Sequence, residues 1–185
     1  MYKLKIMKPA TVIPNQNNEV IVTFLNLLLA EEYVLYTKTR TAHWNVDGLN
    51  NFELHVFLEN QYNQLDEIID DIAVQIRSLG HFALGSLKNF LSISQMSDEN
   101  DDLSNSGQTF EILLNDHESI IRMIHHETGP ISNQLKDADT SEFLSEILAE
   151  HQKMVWMLKS FLTIPDPASK ALKRKRFTQF TEIQD

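Results

Sequence analysis

From Glu19 to Asn45 the chain runs 27 residues without a glycine or a proline, and its apolar side chains return at three- and four-residue intervals. Val22, Leu25, Leu28, Leu29, Tyr33 and Tyr36 fall near one side of a helix, a grouping that the two-residue alternation of a strand cannot give. The stretch therefore predicts a long first helix, stopped at Val46-Asp47-Gly48, where glycine suits a helix end. That one element restricts the chain to folds in which other helices cover a long apolar face.

Further helices follow by the same periodicity. A second is expected from about Asn51 to about Leu79, closed by Gly80. A short one is expected around Leu87 to Leu91, and the acidic run Ser97 to Asp102 reads as a solvated loop or an N-terminal cap. The third spans about Thr109 to about Glu127 and is expected to end before Gly129-Pro130. The fourth spans about Thr140 to about Leu162, ahead of Pro165-Asp166-Pro167. The expected fold is all-α: a four-helix bundle whose long crossover between helices 2 and 3 carries a short extra helix, the ferritin-like arrangement. Residues 17–164 would form this bundle, with a basic tail at 1–16 and another at 165–185. A chain of 185 residues is long enough for one substantial core. No apolar run approaches the roughly 18 residues that mark a membrane span. The first residues lack the long apolar segment of a secretion signal. There is no cysteine, which excludes disulfides and thiolate chemistry. Together these suggest a cytoplasmic protein that does not act in a membrane.

Chemistry concentrates between His43 and Asp70. The run reads His43-Trp44-Asn45-Val46-Asp47-Gly48, then Phe52-x-x-His55-x-x-x-Glu59, then Asp66 and Asp70. Imidazole nitrogen with carboxylate oxygen suits iron, manganese or zinc. On the second helix Glu59, Asp66 and Asp70 lie within about 60° of His55 around the axis, so the four share one stripe. Yet Glu59 and Asp70 are roughly 16 Å apart along it, too far for one ion in one copy. Either each chain has two sites, or two antiparallel copies set His55 and Glu59 of one against Asp70 of the other, as a two-fold axis would. None of the seven histidines completes a Glu-x-x-His, the inward-facing pair of di-iron bundles, which argues against an iron centre inside one bundle. His151 and the His125-His126 pair read as structural or surface groups, and Trp44 and Trp156 as core or interface aromatics.

The segment from Lys38 to Gly80 resembles the Dps family of ferritin-like proteins, through His43-Trp44-Asn45-Val46, Phe52-x-x-His55, Asp70-x-x-Ala73 and Ile76-Arg77-Ser78-Leu79-Gly80. Weaker matches lie at Gly85-Ser86-Leu87, Phe90-Leu91 and Trp156-Met157-Leu158-Lys159, so that the resemblance spans about Val20 to about Ile164. It implies a hollow dodecamer that oxidises Fe(II) with hydrogen peroxide or oxygen and stores the ferric product: a ferroxidase protecting the cell, and with it DNA, from oxidative damage. It implies iron ligands His43, His55 and Glu59 from one subunit and Asp70 of the partner subunit at a two-fold interface. Ferrous ions would enter through acidic three-fold pores, for which Asp137 and Asp139 are candidates. The family usually has a glutamate four residues after that aspartate; here the position is Val74, which cannot ligate.

Charge is unevenly spread. The formal total is −10, yet 23 of the 26 acids and only eight of the 16 basic residues fall in positions 11–164. Lys3, Lys5 and Lys8 mark the N-terminus, and Lys170, Lys173, Arg174, Lys175 and Arg176 the C-terminus. An acidic body attracts metal cations and repels phosphates. Basic tails repeated on a shell would bind DNA without sequence preference, through avidity, and bring the protein to the nucleoid. The blander reading is that they solubilise the ends or pack on a neighbouring subunit. Val74 keeps a second class of function open: a shell-forming, DNA-coating protein with a degenerate oxidation site.

Overall fold

The computed structural model describes residues 16–46, 51–97 and 106–163, and among these it contains five α-helices and no strand. They are α1 (Gln16–Asn45), α2 (Asn51–Ser78), α3 (Leu87–Ile93), α4 (Ser106–Asn133) and α5 (Ala138–Thr163). The expected four-helix bundle with a short helix in its crossover is thus observed. The turn at Asp47-Gly48, most of the acidic run after Ser97 and both basic tails lie outside the described residues.

α1 pairs chiefly with α2, and α4 with α5. The two hairpins close on one core of Leu25, Leu28, Leu35, Leu58, Leu65, Ile72, Ile76, Leu113, Ile120, Ile124, Leu144 and Leu158, all fully buried. Each such side chain contributes about 1.5–3 kcal/mol relative to exposure. α1 is so apolar that, by length and composition alone, its Asn18–Asn45 stretch passes as a membrane-spanning helix, contrary to the expectation from the sequence. Most of that surface is buried in the bundle, which accounts for its composition.

One helix end differs from the expectation. α4 continues through Gly129-Pro130 to Asn133. Proline removes one N–H and so one helical bond to His126, a residue on the exposed side. Continuing the helix seats Ile131 in the core, and the Pro130 carbonyl still accepts from Gln134 N–H at 2.9 Å. The turn comes later, at Lys136 with φ 57°, after which Asp137 caps α5 by accepting from Thr140 N–H at 2.9 Å.

The crossover is anchored along α1. Gly80, at φ 87°, ends α2: its N–H donates to Arg77 O at 3.0 Å and His81 N–H to Ile76 O at 3.2 Å. From there Leu84 N–H donates to Asn26 Oδ1 at 3.0 Å, and Tyr33 stacks on Phe90 at 4.6 Å between ring centres. The buried Glu31 carboxylate accepts from Ser94 Oγ at 2.7 Å, Gln95 N–H at 2.6 Å and Met96 N–H at 3.2 Å. Asn26, Glu31 and finally Lys38, which donates to Ser97 O at 3.4 Å, mark successive levels of α1. The connection therefore climbs the bundle in the direction of α1, as a ferritin-like crossover must.

Candidate metal centre

α1 ends and α2 begins at the same end of the bundle, and this brings together two histidines twelve positions apart in sequence. The His43 and His55 rings meet edge to face with 5.1 Å between centres, both half-buried. His43 Nδ1 lies 3.0 Å from the His55 carbonyl oxygen. A carbonyl can only accept, so Nδ1 carries the proton, and His43 presents Nε2 with a bare lone pair. A main-chain oxygen that fixes ring and tautomer in this way is the usual support of a metal-bound imidazole.

Aromatic rings surround the pair. Tyr62 lies edge-on to His43 at 5.5 Å and to Tyr36 at 6.2 Å. The Arg40 guanidinium lies near three rings, at 5.3 Å from Tyr62, 5.6 Å from Trp44 and 5.7 Å from Tyr36, and Arg40 Nη1 donates to the Tyr36 hydroxyl. Ring faces thus surround the cation, and among the described residues it pairs with no carboxylate.

Glu59 is exposed one turn beyond His55, and Asp66, Asp70 and Val74 continue the same exposed stripe of α2. Asp66, Glu67, Asp70 and Asp71 line a shallow open depression. His43 and His55 are therefore brought together, while Asp70 stands roughly 22 Å further along the same helix. Among the described residues no group of three or more histidine, cysteine or acidic side chains converges to hold a metal ion within one copy. Of the residues expected at a pore, Asp137 is engaged at the start of α5, its second oxygen accepting from the Thr140 hydroxyl at 2.8 Å, and Asp139 is exposed. The basic residues expected to meet DNA (Lys3, Lys5, Lys8, Lys170, Lys173, Arg174, Lys175 and Arg176) lie outside the described residues.

A second polar group lies in the middle of the bundle. Glu32 of α1, His117 of α4 and His151 of α5 are completely buried. Glu32 Oε1 lies 2.9 Å from His151 Nε2, and His151 Nδ1 lies 2.9 Å from His117 Nδ1. Burial, and then the neighbouring His151, push the His117 pKa well below its ordinary 6.5, so His117 is neutral near pH 7. The carboxylate accepts from His151 Nε2–H, and one proton sits between the two facing Nδ1 atoms. Glu32 and His117 were not singled out from the sequence, and His151, read as structural or surface, is fully buried. The signal was present: each occupies the apolar stripe of its helix, Glu32 between Leu28 and Leu35, His117 between Leu113 and Ile120, His151 between Leu144 and Leu158.

Bundle and crossover together define the ferritin-like class, and the family model for the Ferritin-like domain matches residues 22–165. An uncharacterized low temperature-induced protein of Nostoc is 32% identical over 148 residues, 80% of this chain and 83% of that one. The DNA protection during starvation protein 2 of Bacillus anthracis is 31% identical, covering 78% of this chain and 98% of its own length. Among solved structures, the Dps protein of Vibrio cholerae, described as a member of the ferritin-like diiron-carboxylate superfamily, superposes with a TM-score of 0.75 at 28% identity, covering 80% of this chain and 91% of that one. The chain belongs to the Dps family of ferritin-like proteins.

Proposed function

We propose that this protein binds Fe(II) at sites shared by two copies, oxidises it with hydrogen peroxide or oxygen, and stores the ferric product in a closed homo-oligomeric shell, a dodecamer by analogy with its family. The observation that carries the reading is the fixed His43/His55 pair beside an exposed stripe of acids. The stripe is self-complementary: an antiparallel second copy that sets its Asp70 against His55 also sets its own His55 against Asp70 of the first. Each site then has two imidazoles and Glu59 from one copy and Asp70 of the partner subunit, a set suited to ferrous iron. Carboxylates favour the more highly charged ferric ion, so Glu59 and Asp70 supply driving force as well as binding. Exposed Phe52, Val56 and Val74 on the same stripe give the two copies apolar surface to bury. The acidic body draws cations to the shell, Asp139 with Asp137 being the proposed pore acids, and consumption of peroxide protects the cell.

Val74 favours a second reading, a shell that coats DNA through its basic tails and oxidises iron poorly. Anaerobic loading with Fe(II), followed by peroxide, separates the two. Ferric absorbance that rises well ahead of a protein-free control, with iron retained on gel filtration, is the expected result. Oxidation no faster than the control would leave the shell reading.

A further inference from the structure

We propose that the buried line of Glu32, His151 and His117 is an acid-released latch. It joins the two hairpins while at most one of its imidazoles is charged, and charging both forces them apart in the middle of the bundle. None of the three residues belongs to the proposed metal site, so the latch stands or falls independently of it.

The facing nitrogens set the limit. His117 Nδ1 and His151 Nδ1 are 2.9 Å apart, a hydrogen-bond distance with room for one proton. If both carried an N–H, neither would have a lone pair to offer the other. His151 has no other partner to turn to, because its Nε2 already bonds to Glu32 Oε1 at 2.9 Å. Among the described residues His117 Nε2 is buried with no hydrogen-bond partner, so losing the facing pair leaves its ring without one. With Glu32 ionised and one imidazole charged, the line is neutral, the state that full burial favours. Charging the second imidazole adds a net positive charge in the core as well as the clash of two donors.

No other group is placed to offset that charge. Among the described residues α5 buries no further titratable side chain, and α2 buries only apolar ones and Gln61. α1 adds Glu31, whose carboxylate is taken up by Ser94, Gln95 and Met96 of the crossover. Beside His117 on α4, Asp116 pairs with Lys38 at 2.6 Å and Glu118 with Lys159 at 2.8 Å, both nearer the surface. Burial, and then the neighbouring His151, accordingly hold the His117 pKa well below 6.5. The latch therefore lets go as pH falls from about 6.5 toward that lowered value, where the unfolded chain binds the proton and the folded one resists it. Lys38 with Asp116, and Gln75 Nε2 with the Thr140 hydroxyl at 3.2 Å, also cross between the hairpins. Neither pair is fully buried, so water can replace those bonds, whereas the line has no such substitute.

The test follows two hydrogen-exchange reactions on the full-length protein by mass spectrometry, from about pH 7 to about pH 4. Exchange at the histidine C2–H reports the charge of each imidazole, and exchange at backbone amides reports opening. Amides of α4 and α5 near His117 and His151 should lose protection by at least about tenfold at the pH where His117 becomes charged, before the ends of these helices lose theirs. His117→Gln, whose amide oxygen still accepts from His151, should keep that protection to lower pH. A charged His117 with mid-bundle protection intact would overturn the latch, as would loss that starts at the helix ends. Loss at the same pH in His117→Gln would also overturn it; if that variant does not fold, the order of loss in the parent protein decides.

Discussion

His43 and His55 beside Glu59, and Glu32 with His151 and His117, are built from the same residue types, but one group lies half-exposed where the α1/α2 hairpin turns and the other is fully buried mid-bundle. At the hairpin end His43 Nδ1 donates to the main-chain oxygen of His55, which leaves Nε2 for a ligand, and Glu59 is exposed. In the core the three side chains bond to one another in a line, Glu32 to His151 to His117. That line joins α1 of one hairpin to α4 and α5 of the other, and at its two ends Glu32 Oε2 and His117 Nε2 are buried without a hydrogen-bond partner. Composition does not distinguish the two groups; burial, and the number of helices that each ties together, does.

The contrast is open to direct attack. The largest effect is expected from His151→Ala, which strands the buried Glu32 carboxylate and should cost about 3–5 kcal/mol in denaturant unfolding. A cost under about 1 kcal/mol would show that the buried line is not a clasp. His43→Ala should do the reverse: stability within about 1 kcal/mol of the parent protein, with Fe(II) affinity at least tenfold weaker in anaerobic titration.

A smaller effect is expected with pH. The folded protein holds His117 well below 6.5, whereas the unfolded chain takes up that proton near 6.5. Below this pH the unfolded state binds more protons, so stability is full above about 6.5 and declines as pH falls toward the lowered value, by up to about 1.4 kcal/mol per unit. His117→Gln should remove that part of the slope in denaturation curves measured at several pH values. The smallest effect concerns the crossover: Glu31→Gln should cost about 1–2 kcal/mol and raise hydrogen exchange at Gln95 and Met96, whose N–H groups it accepts from.

Much of the fold could be read from spacing. The five helices follow apolar periodicity, and their limits agree to within a few residues except at Pro130. There the breaker rule speaks for a stop, but burial of Ile131 outweighs one lost bond on the exposed side of α4. At the candidate site, the family resemblance named His43 and His55 as ligands from one copy, and their places at a helix end and a helix start bring the two rings together. The support of His43 by a main-chain oxygen was not legible, because no residue type encodes it. The buried line escaped because a search for Glu-x-x-His looks for two polar groups on one helix. Here α1, α4 and α5 contribute one each, and only packing shows that they meet.

The central claim is that two copies share each site, and mixing two damaged chains tests it most directly. His43→Ala and Asp70→Ala proteins are each expected to lose the interface iron. Unfolded together and reassembled, half of the dimers pair one of each, and one of their two sites then draws every ligand from intact positions. Recovery of about a quarter of parental Fe(II) binding is the predicted result. No recovery, with mixed dimers verified by mass spectrometry, would place all the ligands within one chain and contradict the account.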